Sequence, residues 1–417
     1  MPLLDHLRPP QRLERREIAL LGVFGILAFT QGWSGAVITH VLPFVQEDFG
    51  LDDAAIFDLM AIVRAVALLA LVLSWWGDRH GRRRPLLASF LLLVVANLLT
   101  VAAPGVAGFT ALQAVARIGT IGLGALAIVV LAEEVAPRVR GYALGVYTLF
   151  GALGTGFGLL IRPLGESGDD WRIVFALSAV PLLAFPFVAR AIGESRAYTK
   201  PEVHPRLSAV LRAGLAGRFW PMAGLSFAVS LFTSPAANLA LVRLENDLGW
   251  SAGAASLLLA GASAPGVAIG LLAGGRVADT LGRRPTEVVA ILVGVAGGVA
   301  FYFVEGGWPA GLGIFVSTLG AFGFGPAFAA HRSELFPTEV RATAASWIIN
   351  AAIVGGLFGF AAGRFVVDAW GIPVTIAVLG GVLVAATGLV WLLPETQGAD
   401  LTGDGTGPTP PIGAMPG

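Results

Sequence analysis

The sequence predicts an all-α membrane protein, with twelve transmembrane helices in two pseudo-symmetric six-helix bundles. Three observations carry this reading. The 417 residues are 56% hydrophobic and only 13% charged, with a mean hydropathy of +0.78; an ordinary soluble domain is about 45–50% apolar and about 25% charged. The apolar residues fall into blocks long enough to cross a bilayer. Charged motifs between the blocks recur about 200 residues further along the chain.

So apolar a chain leaves too little polar surface to cover a water-soluble core. A soluble enzyme, a disordered chain and a nucleic-acid binder are excluded on that ground. The 27 basic and 27 acidic residues cancel, so no global field recruits a polyanion. There is no Cys, hence no disulfide, thiolate metal site or Cys nucleophile. No metal-ligand or nucleotide-binding spacing is visible, and no cofactor is expected. Gly151-Ala-Leu-Gly154-Thr-Gly156 lies inside an apolar block, where a phosphate loop would need a strand before it.

A spanning helix needs about 20 mostly apolar residues. The blocks run over 18–43, 54–76, 85–103, 107–132, 141–163, 171–192, 219–242, 253–274, 285–304, 308–331, 341–366 and 372–393. In lipid only helices and closed barrels satisfy their backbone groups, and these blocks are too long and too rich in Leu, Ala and Gly to be barrel strands. The first exceeds a signal-peptide core and lacks a small-x-small cleavage site, so it reads as a retained helix. Pro235 and Pro265 predict bends in the seventh and eighth helices. The expected organisation is an N-terminal bundle (1–192), a cytoplasmic linker (193–218), a C-terminal bundle (219–393) and a disordered Gly/Pro/Thr-rich tail (394–417).

Charge placement orients the chain. With the N-terminus inside, 21 of the 27 Lys and Arg residues fall in inside segments, which by the positive-inside rule places both termini in the cytoplasm. The expected location is the inner (plasma) membrane.

The repeat is visible in four places. Asp78-Arg79-His80-Gly81-Arg82-Arg83-Arg84 joins the second and third blocks, and Asp279-Thr280-Leu281-Gly282-Arg283-Arg284 joins the eighth and ninth. Glu134, Pro137 and Arg140 correspond to Glu334, Pro337 and Arg341. Glu194 and Glu395 close the two halves, and Trp171 and Trp370 open their last helices. Parallel repeats place a substrate cavity between the halves near mid-membrane.

These residues resemble the major facilitator superfamily over essentially the whole chain. Gly77-Asp78-Arg79-His80-Gly81-Arg82-Arg83 is similar to its signature between helices 2 and 3, and Gly275 to Arg284 to the second copy. Ser333-Glu334-Leu-Phe-Pro337 and Pro394-Glu395-Thr396-Gln397-Gly398 resemble the sugar-porter and metabolite:proton symporter branches. The resemblance implies a secondary active transporter working by alternating access, with proton symport as one coupling mode. Its partners would be a small-molecule substrate, a proton and the bilayer, with the protein a monomer.

Gly81 and Gly282 allow a tight turn at positive φ. Asp78, Arg79, Arg82, Arg83, Glu134 and Arg140, with Asp279, Arg283, Arg284, Glu334 and Arg341, suit a gating charge network at the cytoplasmic helix ends; the alternative is that they only anchor loops. Arg64 and Arg117 lie mid-block. A midplane Arg costs from roughly 3 to over 10 kcal/mol and usually faces a cavity or a partner. No carboxylate falls at matching depth, Asp58 being the deepest. In sugar porters a helix 1 Asp commonly pairs with a helix 4 Arg; the matching position here looks like Ser34, and the helix 7 glutamines that hold sugar hydroxyls are replaced. An anionic substrate, such as a small carboxylate, would supply the missing charge. Arg64 and Arg117 are therefore the expected substrate charges, with Gln31, Ser34, Gln113, Asn238 and Asn350 as polar contacts; each also has a helix-packing reading. Drug export, sugar or polyol transport, and a non-transporting membrane sensor stay open as alternatives.

His40 is expected at the membrane interface and His331 as a loop anchor. Gly141/Gly145 and Gly154/Gly158 in the fifth block, and Gly355/Gly359/Gly363 in the eleventh, repeat at four-residue spacing, which lets helices approach closely. They predict tight packing combined with a sliding contact between the halves.

Overall fold

The computed structural model describes residues 13–136, 139–166, 170–194, 210–211 and 215–398. Most of the expected linker and tail lies outside the described residues. Every regular element among those described is helical. In chain order they are α1 (Arg15–Asp48), α2 (Asp53–His80), α3 (Arg83–Thr100), α4 (Val106–Glu134), α5 (Arg140–Gly165), α6 (Trp171–Ala191), α7 (Ala216–Asp247), α8 (Ala252–Leu281), α9 (Arg283–Phe303) and α10 (Gly307–Leu335). One continuous stretch, Thr338–Ala386, follows. It divides at Gly371, whose φ of 73° is non-helical, into α11 (338–370) and α12 (372–392). That division gives the twelve spans expected.

Helix ends follow local chemistry. α1 is longer than its apolar block because polar turns extend it at both ends. The Glu14 backbone N–H donates to the Glu17 carboxylate at 2.9 Å, and Glu14 and Glu17 together form a capping box. The acidic stretch after the first apolar block is helical through Asp48. The Asp52 side chain then accepts from the Ala55 N–H at 2.7 Å and starts α2. Pro235 and Pro265 sit within α7 and α8 without ending them.

The Cα packing divides the chain into two compact units, Met1–Val203 with Leu241–Leu257, and His204–Ala240 with Leu258–Gly417. The outer turn of α7 and the start of α8 thus belong with the first unit. Polar contacts hold them there: Asn246 donates to the Gln46 side-chain oxygen at 2.8 Å, and the Ala252 N–H to Glu166 at 2.7 Å.

Within each unit, glycine lets helices cross closely. A Cβ on Gly154 of α5 would run into the Phe29 carbonyl of α1, and one on Gly355 of α11 into the Phe227 carbonyl of α7. Gly359 meets the Leu231 carbonyl in the same way. The glycine faces are therefore used inside each bundle, as ordinary tight packing. Gly141 and Gly145, on the other end of α5, have open space around them. Large apolar side chains such as Leu160, Leu183, Leu272, Trp308 and Phe365 stand exposed around the bundles, the pattern expected of helices whose solvent is lipid.

Candidate functional site

In the first unit, Arg64 sits on the part of α2 that packs against α4, the helix that carries Arg117. Both are half-buried. Among the described residues no hydrogen bond or ion pair engages Arg117. Residues 117, 120 and 124 recur at three- and four-residue spacing and share one face of α4. Gln31 of α1 lies on that face: its amide donates to the Thr120 carbonyl at 3.2 Å, and its oxygen accepts from the Tyr147 hydroxyl of α5 at 2.6 Å. A Cβ on Gly124 would collide with the Gln31 amide. Gln31 is therefore wedged among three helices beside the Arg117 stripe.

Two sequence candidates face elsewhere. Ser34 is buried, and its hydroxyl donates to the Ser178 carbonyl at 2.7 Å, toward α6. Its own carbonyl accepts from Asn97 at 2.8 Å. Gln113 is buried and donates to Thr100 at 2.9 Å and Asn97 at 3.3 Å. These polar groups are spent on packing α1, α3, α4 and α6. Asn97, absent from the sequence reading, is their common partner. In the second unit, Asn238 donates to the Ser234 carbonyl at 2.7 Å, and Asn350 is half-buried on α11.

One further residue differs from expectation. His40 is buried rather than interfacial, and its Nδ1 has no hydrogen-bond partner. Trp33 is also buried and packs edge-on against Phe157 at 4.8 Å between centroids. Trp347, by contrast, is exposed.

The basic ends of the two units are built alike. In the first, the Arg82 side chain pairs with Glu133, and the Arg82 N–H donates to the Glu194 carboxylate at 2.6 Å. In the second, Arg283 pairs with Glu334 at 2.8 Å, and the Arg283 N–H donates to Glu395 at 2.8 Å. The spacings are identical: 51 residues for each side-chain pair and 112 for each backbone contact. The sequence repeat pairs Glu334 with Glu134. The structure matches it to Glu133, and Glu134 pairs with Arg16 instead. Arg79 lies over the Trp75 ring at 4.5 Å. Arg140 and Arg341 bond the Ala132 and Phe336 carbonyls.

Gly81 and Gly282 carry φ of 98° and 104°. A Cβ on Gly81 would come within 2.5 Å of the Glu194 carboxylate, and one on Gly282 within 2.8 Å of Glu395. Glycine thus serves both the turn and the approach of the carboxylate. Burial pushes the Glu395 carboxyl up, but four backbone N–H donors, from Arg283, Arg284, Thr396 and Gln397, outweigh it and hold the group below the usual carboxylate range.

At the opposite end of the first unit, Arg162 is wholly buried and paired with Glu245. It also donates to the His40 and Ala252 carbonyls and lies over the Phe44 ring. Nothing local to either residue signals this pairing, which links α5 to the far end of α7.

Comparison with known proteins agrees with this architecture. A sequence model of the Major Facilitator Superfamily matches residues 24–234 and 222–413. The chain belongs to that family: it is a multi-pass membrane transporter of small solutes, not an enzyme. It is 28% identical over 411 residues to a putative metabolite transport protein of Haemophilus influenzae, covering 87% of this chain and 92% of that one. It is 25% identical to a gallate transporter of Pseudomonas putida, covering 85% and 87%. A myo-inositol transporter of Cryptococcus neoformans matches over 172 residues only, which is 29% of its own length. Among solved structures, a D-xylose-proton symporter superposes with a TM-score of 0.72 at 19% identity, covering 91% of this chain and 98% of that one.

Proposed function

We propose that this transporter carries small organic anions, carboxylates above all, and that Arg64 and Arg117 supply the charge that draws them in. The observation that carries the reading is that Arg117, half-buried in mid-span on α4, is engaged by no hydrogen bond or ion pair among the described residues, while Arg64 lies half-buried on α2, which packs against α4 in the same unit. Two like charges repel, and each costs several kcal/mol at this depth. A bound carboxylate offsets both terms, and Arg is suited to hold it through paired N–H donors. Gln31 is the neighbouring polar contact; Asn238 and Asn350 are candidates in the second unit. The similarity to a gallate transporter supports an acidic substrate.

Transport proceeds by alternating access, with proton symport as the coupling mode suggested by the xylose-proton symporter. The protein sits in the inner membrane with both termini cytoplasmic, an orientation supported by the basic ends described above. The test is uptake of labelled gallate into proteoliposomes. The expected result is saturable uptake that other carboxylates inhibit and hydrophobic drugs do not. Arg64→Ala and Arg117→Ala should each lower it at least tenfold. Uptake indifferent to both substitutions would overturn the anion site.

A further inference from the structure

Glu287 of α9 and His331 of α10 are both wholly buried, with 0% of either side chain exposed. His331 Nδ1 lies 2.9 Å from a Glu287 carboxyl oxygen, and its Nε2 lies 3.0 Å from the Pro394 carbonyl just past α12. The other Glu287 oxygen is buried with no hydrogen-bond partner. We propose that Glu287 and His331 together form a proton-binding site whose single proton latches the end of α12 to α9 and α10.

The hydrogen-bond inventory dictates the proton count. A carbonyl only accepts, so Nε2 carries its hydrogen and donates to Pro394. Nδ1 then faces a carboxyl oxygen at hydrogen-bond distance, and one proton lies between them. Imidazolium beside carboxylate, or neutral imidazole beside carboxylic acid, are two descriptions of the same bound proton, which belongs to the pair. When it leaves, a nitrogen lone pair confronts a carboxylate at the same distance. A net negative charge is then buried with one oxygen already unsatisfied, which is expensive in a dry interior. The pair relieves this by separating, which frees His331 and with it the Pro394 carbonyl.

Surrounding charges are mostly committed elsewhere. On α9, Arg283 is held by Glu334 of α10 and Asp279 of α8, and Arg284 lies over Trp391. Arg332 of α10 lies over Phe328. Arg218 of α7 and Arg341 of α11 bond backbone carbonyls. The remaining charged neighbour is Glu395, next to Pro394, whose carboxylate accepts the N–H groups of Arg283, Arg284, Thr396 and Gln397. Because Pro394 adjoins Glu395, whose carboxylate accepts the first N–H groups of α9, release of the Pro394 carbonyl on proton loss loosens that cap. The site therefore links proton release to opening of the basic end.

Hydrogen exchange of the full-length protein in nanodiscs, corrected for intrinsic rates between pH 5 and 10, tests this. Peptides covering 390–398 should lose protection at least tenfold in one transition as pH rises. Glu287→Gln keeps the shape and donates an amide hydrogen to neutral Nδ1, so its protection should not depend on pH over that range. A flat wild-type profile, or an unchanged transition in Glu287→Gln, would overturn the proposal. Nitrogen-15 histidine spectra of the wild type, assigned by loss of a signal in His331→Gln, provide a readout independent of how the glutamate variant folds. His331 should stay protonated on Nε2 throughout with one titration at Nδ1; tautomer exchange like that of a free imidazole would contradict it.

Discussion

The Glu395 carboxylate accepts the Arg283 backbone N–H at 2.8 Å and so fastens the end of α12 to the first turn of α9. Because the folded group sits below its ordinary pKa, its contribution to stability is complete above the unfolded carboxylate value of about 4.3. That contribution is lost as pH falls through the depressed folded value. Glu395→Gln should cost about 0.5–2 kcal/mol at neutral pH, the usual range for losing a helix-cap acceptor. It should also flatten this part of the acid limb, as checked by thermal unfolding from pH 3 to 7.

The two basic ends make a prediction about equivalence. Glu133→Ala and Glu334→Ala should lower stability in parallel, since each removes the partner of a matched arginine. Each effect should be about 1 kcal/mol or somewhat more, given that these pairs are more buried than surface bridges worth about 0–1 kcal/mol. Glu134→Ala removes the ion pair to the more exposed Arg16 and should have the smallest effect. Melting curves of the three variants decide it.

Arg162→Leu leaves the Glu245 charge buried without its partner and should cost about 3–5 kcal/mol. The double variant Arg162→Leu with Glu245→Leu should recover most of that loss, because it removes both charges. A double-mutant cycle on purified protein measures the coupling. Additive losses would mean that the pair is not coupled.

Close packing predicts a position-dependent glycine scan. Gly154→Val and Gly355→Val each force a side chain into a facing carbonyl and should destabilise by about 3 kcal/mol or more. Gly145→Ala faces open space and should be neutral or stabilising, by about 0.5–1 kcal/mol, since alanine restricts the unfolded chain. Folded yield by size-exclusion chromatography ranks the three.

The membrane class, the twelve spans and the two-fold repeat were legible because they are written in local signals: apolar run length, turn glycines and charged loop motifs. The repeat also located Arg82 and Arg283. It misaligned Glu134 by one residue, since two adjacent glutamates are indistinguishable until the chain is folded. Ser34 and Gln113 were read as substrate contacts because sequence gives depth along a helix better than direction around it; the structure turns both toward neighbouring helices. The Arg162–Glu245 and Glu287–His331 pairs were invisible because each joins different helices with no shared local pattern. Arg64 and Arg117 stood out without a structure because a mid-span guanidinium is costly wherever it points.

The account rests on those two arginines, and ligand-induced thermal stabilisation tests them most directly. Purified protein is melted with organic acids, neutral sugars and amines, and the set is repeated on Arg64→Ala and Arg117→Ala. Carboxylates should raise the wild-type melting temperature, and the shift should vanish in both variants. A carboxylate shift that survives both substitutions, or stabilisation by sugars or amines with none by acids, would contradict it.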